Sequence, residues 1–137
     1  MSRVICIDYG GKRTGLAVTD PLKIIATALT TVDTKELIPF LKAYFQQEEV
    51  ELIIIGEPLN LDNSDTHATP LVKEAIKKLK KEFPSMAIQT MDERFTSKMA
   101  SRAMIDMGMK KKDRQKKGNI DQIAAAIMLQ EYLQGLN

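Results

Sequence analysis

The chain has 137 residues, of which 44% are hydrophobic and 28% charged, with a net charge of +2. That length suits one compact domain over residues 1–137, too short for two lobes closing around a substrate, and the composition argues against wholesale disorder. A single cysteine, Cys6, excludes an intrachain disulfide and a cysteine-built zinc site, and no stretch approaches the roughly 20 apolar residues of a membrane span, so a cytoplasmic protein with no membrane partner is expected.

The first apolar run, Val4-Ile5-Cys6-Ile7, is too short for a signal-peptide core and predicts a buried strand. It ends on Asp8, followed by Tyr9-Gly10-Gly11-Lys12-Arg13-Thr14-Gly15. An ionised carboxylate at a buried strand end needs a cation, a donor or water to offset its lost hydration. The glycines permit a tight turn and close approach of a large ligand, and Lys12 and Arg13 add positive charge. One reading is an acid held under a phosphate-bearing ligand; the other is a hairpin with a polar turn.

Thr14–Thr19 and Ile24–Val32 read as the second and third strands, separated by a turn at Asp20-Pro21, which makes an antiparallel meander. Leu37, Phe40, Leu41, Tyr44 and Phe45 recur at helical spacing over about Thr34 to Gln47, with Asp33 or Thr34 as cap and Pro39 near enough to the start to be tolerated. Leu52-Ile53-Ile54-Ile55, closed by Gly56 and Pro58, has the pattern of a central parallel strand. After a polar loop from Asn60 to Thr69, Val72, Ala75, Ile76, Leu79 and Phe83 form one helical face. Lys73, Lys77, Lys78, Lys80 and Lys81 form the opposite, solvated one.

Ala87–Met91 reads as a fifth strand closed by Asp92-Glu93-Arg94. Thr96 or Ser97 then caps a helix carrying Met99, Ala103, Met104 and Met107, with Gly108 as its stop. Lys110–Lys117, six basic residues in eight, reads as an exposed loop that either solubilises the chain or binds phosphates. A last helix is expected from about Asn119 to Leu136. The order β-β-β-α-β-α-β-α-α predicts an α/β fold, a five-stranded mixed sheet of three meander strands plus two parallel strands flanked by helices.

Ligands of open α/β sheets gather at the carboxyl ends of parallel strands, and Asp8, Glu57 and Asp92-Glu93 all fall there. Asp121 lies at i−3, i−4 and i−7 from Ala124, Ala125 and Met128, on the packing face of the last helix. It either reaches Asp8 or favours the helix dipole beyond an Asn119 cap. Crowded carboxylates repel unless a divalent cation lies between them, and oxygen-only donors suit Mg2+ or Mn2+. Two such ions about 3.5–4 Å apart activate a water and stabilise the leaving oxygen in attack on a phosphodiester. Lys12, Arg13, Arg94 and the basic run Lys110, Lys111, Lys112, Arg114, Lys116 and Lys117 would hold the backbone. With only Tyr9 and Phe95 available for stacking, structured RNA or branched DNA fits better than single strands. His67 reads as a solvated loop histidine, and Ser64 and Thr96 have no base at recognisable spacing.

Four segments in order, DYGGKRTGLAVTD, IIIGEPLNLD, MDERFTS and KKGNIDQIAAAIMLQ, make the whole chain resemble the YqgF family, a minimal RNase H-like fold associated with Holliday junction resolution and pre-16S rRNA processing. The resemblance implies that Asp8, Glu93 and Asp121 bind the metals, without settling whether Asp92 or Glu93 faces them. Many members carry an apolar residue where this chain has Glu57, a position at which related resolvases keep an acid, so Glu57 is either a further ligand or a surface substitution. It implies a metal-dependent endonuclease trimming the 5′ end of pre-16S rRNA, with ribosomal particles as possible partners. The alternatives are a resolvase of four-way DNA and a non-catalytic rRNA-binding assembly factor. No dimerisation stripe stands out, so a monomer or weak homodimer is expected, which favours RNA processing over symmetric cutting. Sugar-kinase and actin-like ATPases share the strand-end Asp-x-Gly but need two lobes, which this length does not provide.

Overall fold

The structure is a computed structural model that describes residues 2–57, 69–92 and 117–135. Its sheet is built from β1 (Arg3–Tyr9), β2 (Arg13–Thr19), β3 (Ala26–Asp33), β4 (Val50–Glu57) and β5 (Ala87–Asp92), in spatial order β3-β2-β1-β4-β5. β2 pairs antiparallel with both β1 and β3, while β4 runs parallel to β1 and to β5. This is the expected meander extended by two parallel strands.

Both faces of the sheet are covered, and strand alternation divides the core into two. Ile5, Ile7, Leu16, Val18, Ile53 and Ile55 point to one side. There they meet Leu37 and Leu41 of α1 (Leu37–Gln47) and Val72, Ala75 and Leu79 of α2 (Thr69–Glu82). Val4, Cys6, Ala17 and Ile54 point to the other, against Ala125, Met128 and Leu129 of α3 (Lys117–Gly135). Full burial of each large aliphatic side chain contributes about 1.5–3 kcal/mol. Ala124 and Ala125 are fully buried, so small side chains bring the α3 backbone close to the sheet.

Several boundaries differ from expectation by a few residues, and three of them bear on the site and its turns. β3 begins at Ala26 rather than Ile24, because the Asp20 carboxylate accepts hydrogen bonds from the backbone N–H of Leu22, Ile24 and Ile25 and holds those residues in the turn. Lys23 completes that turn at φ 59°, an uncommon conformation for a residue with a β-carbon. A 3-10 turn, Thr34–Glu36, precedes α1, and neither Asp33 nor Glu36 makes a side-chain capping bond. The Thr34 hydroxyl is engaged elsewhere, as described below. Finally, Lys117 is already helical in α3 rather than part of a basic loop. The helix expected after Thr96 or Ser97 lies outside the described residues, as do Ser64 and His67. No helix among the described residues is long and apolar enough to cross a membrane.

Candidate functional site

Asp8 lies one residue before the end of β1, half-buried, and shares the parity of Val4 and Cys6, so its side chain projects from the α3 side of the sheet. Its neighbour Tyr9 packs into the opposite core, where burial, reinforced by the charge of Glu74, raises the phenol above its usual range. Asp8 pairs with Gly15 of β2, and Gly15 pairs with Thr31 of β3. The three positions form one row across the sheet. Gly15, itself buried, contributes no side chain to it.

The row continues into the helix above. Thr31 Oγ1 donates to Gln122 Oε1 at 3.2 Å, so the first turns of α3 sit at the level of Asp8. Further along, the Ala26 N–H donates to Gln130 Oε1 at 3.2 Å and fixes the direction of the helix along β3. Gln122 follows Asp121 directly, and Ala124, Ala125 and Met128 are buried, as the spacing predicted for the face that includes position 121. Nothing beyond the helical backbone is described for Asp121 itself.

The turn that ends β1 is fastened from below. Thr34 Oγ1 donates to the Gly10 carbonyl at 2.6 Å, and the Thr34 N–H donates to the Lys12 carbonyl at 3.0 Å. Because Thr34 uses its proton on Gly10, the buried Thr14 hydroxyl is the donor in the 2.9 Å contact between the two threonines. A β-carbon on Gly10 would collide with the Arg13 carbonyl oxygen, which explains glycine there. At Gly11 it would meet only Leu71 Cδ1, at an ordinary 3.5 Å. The exposed Lys12 thus sits on a turn with little freedom, while Arg13 opens β2 opposite Asp33.

The remaining acids divide by strand. Glu57 and Asp92 occupy opposing register positions at the ends of β4 and β5, beside the end of β1. Glu93 and Arg94 lie outside the described residues, as do Lys110, Lys111, Lys112, Arg114 and Lys116, and only the backbone of Lys117 is described. Among the described residues no three His, Cys, Asp or Glu side chains come together to hold a metal. Sequence reasoning missed Thr31, Gln122 and Thr34, which position the site. No local pattern in the sequence marked them.

A model of the family described as RuvX: Holliday junction resolvase matches residues 2–135. The chain belongs to the RuvX family. Relatives from Flavobacterium psychrophilum, 50% identical over 97% of both chains, and Bacteroides fragilis, 49% identical over 98% of this chain and 97% of theirs, carry the provisional name pre-16S rRNA nuclease. The RuvX family is therefore one of nucleases by description and by the names of its members, in keeping with the YqgF resemblance. T. thermophilus RuvC, solved in complex with a Holliday junction substrate, superposes with a TM-score of 0.56 at 19% identity over 99% of this chain and 96% of that one, which shows a shared RNase H-like fold.

Proposed function

We propose that the chain is a divalent-metal-dependent endonuclease that processes the 5′ end of pre-16S rRNA in the cytoplasm, as a single domain over residues 1–137 and as a monomer or weak homodimer. The observation that carries this reading is the row Asp8-Gly15-Thr31 with its bond to Gln122, which brings the start of α3 to the strand-end aspartate. Asp8, Glu93 and Asp121 are the proposed catalytic ligands. Glu93 is preferred to Asp92, since alternation along a strand lets only one of two adjacent side chains face Asp8. Glu57 or Asp92, at the ends of β4 and β5, is a further ligand in this reading.

The donor set consists of oxygens, and the nearby Cys6 is sealed within the core, so the site fits Mg2+ or Mn2+ and not zinc. Bound ions would activate the attacking water and stabilise the leaving oxygen. This chain's own contribution is to carry the acids on strand ends and a helix and to hold Lys12 and Arg13 beside the scissile backbone. Arg94, Lys110, Lys111, Lys112, Arg114, Lys116 and Lys117 extend the backbone contacts in this reading.

The family's description favours a second reading, resolution of four-way DNA, by the same chemistry. One experiment separates them. Purified protein is incubated with a pre-16S rRNA fragment and with a four-way DNA junction, in Mg2+, Mn2+ or EDTA. Metal-dependent cleavage of the RNA supports the first reading, and paired symmetric cuts in the junction alone support the second. Binding to rRNA without turnover under either metal makes the chain an assembly factor and overturns both.

A further inference from the structure

Beside the glycine turn, on the sheet side opposite α3, two hollows of about 110 Å³ and 310 Å³ share Lys35 as a common wall. The smaller is bounded by Tyr9, Thr34 and Lys78, the larger by Gly11, Lys12 and Asp33. Three lysines therefore line this paired depression against one aspartate, with Glu74 near Tyr9 as the next acid. Nearby, Lys42 of α1 pairs with Glu82 of α2 at 3.0 Å. Lys12, Lys35 and Lys78 have no ion-pair partner among the described residues. The floor at Gly11 is bare although packing would tolerate a β-carbon there, so a bulky anion can rest against the backbone.

We propose that this depression is a second backbone-binding track, in which Lys35 and Lys78, with Lys12, hold phosphates of the nucleic acid as it leaves the carboxyl edge of the sheet toward α1 and α2. The proposal rests on the nucleic-acid reading above and deepens it. Such contacts are indifferent to base identity and take RNA or DNA alike. Lys78, one of the α2 lysines read as merely solvated from the sequence, thereby differs from Lys80 and Lys81, which line neither hollow.

The test measures binding without turnover, in EDTA, of the intact chain to a labelled RNA hairpin and to a four-way DNA junction across a salt series. Each phosphate contact contributes about 0.7 to 0.9 to the slope of log K against log salt. Lys35→Ala/Lys78→Ala is expected to weaken binding about tenfold near 0.1 M salt and to reduce the slope by between one and two. Lys80→Ala/Lys81→Ala is expected to leave affinity within about twofold. Unchanged affinity and slope in the first variant, or an equal loss in the second, overturns the track. If the native chain binds but cleaves nothing with Mg2+ or Mn2+, the nuclease reading fails while the track stands; if it binds neither ligand, both fail.

Discussion

The Thr31 hydroxyl donates to the Gln122 side-chain carbonyl at 3.2 Å across 91 residues of sequence, and this bond registers α3 on the sheet at the level of Asp8. Removing either partner, as Thr31→Val or Gln122→Leu, is expected to cost about 0.5–1.5 kcal/mol in urea unfolding. A double-mutant cycle should recover a coupling of similar size. In the proposed nuclease both variants should also lower kcat more than they raise KM, because they move an acid-bearing helix rather than a substrate contact. Additive single and double variants would show that the bond does not hold the helix.

Asp8→Asn keeps the size and shape of the side chain and removes its charge. Metal stabilisation of a phosphoryl transition state is worth several kcal/mol, so cleavage with Mg2+ or Mn2+ should fall by roughly a thousandfold. Circular dichroism and RNA affinity in EDTA should match the native chain. Undiminished cleavage would remove Asp8 from the chemistry.

The glycine turn gives a contrasting pair. Gly10→Ala forces a β-carbon against the Arg13 carbonyl and should destabilise by about 1–3 kcal/mol, whereas Gly11→Ala makes an ordinary contact and should stay within about 0.5 kcal/mol. Thr34→Val should cost about 1–3 kcal/mol because it strands the buried Thr14 hydroxyl, and Thr34→Ser should restore most of it. Chemical denaturation of the four variants tests this ordering.

Asp20 provides the pH dependence. The backbone N–H groups of Ile25, then Ile24 and Leu22, stabilise its carboxylate and lower its pKa from the ordinary 3.8. A depressed folded pKa means that the stabilisation is present above the unfolded value and is lost as pH falls through the folded one. Asp20→Asn should therefore lower Tm at pH 7, and the gap should close in acid well below pH 3.8. Glu51, lowered chiefly by its hydrogen bond to Lys23, adds acid sensitivity common to both proteins. A gap that widens in acid would contradict the assignment.

The sheet order was legible because runs such as Ile53-Ile54-Ile55 have no other stable use than a strand covered on both sides, and because short connections leave β2 and β3 little choice of partner. Asp8 was legible for a related reason: a charge closing an apolar run conflicts with burial. The start of β3 was not, since the Asp20 carboxylate competes with the strand for three N–H groups, an arrangement that periodicity does not reveal. Thr31, Thr34 and Gln122 were invisible for the same kind of reason. Each acts through one bond to a residue distant in sequence, and a lone polar side chain carries no record of its partner.

The placement of α3 also bears on when the molecule becomes competent. Among the described residues, Val4, Cys6, Ala17 and Ile54 pack against Ala125, Met128 and Leu129, and the two glutamine bonds to β3 close loops of 91 and 104 residues. Contacts so distant in sequence form late, because chain closure must precede the stabilisation they bring. During synthesis, which proceeds from the amino terminus, the meander and α1 emerge with one side of the sheet still bare. The strand carrying Asp8 is thus made early, and the helix registered at its level is made much later. A nascent chain would keep that side of the sheet without its α3 cover until the helix docks.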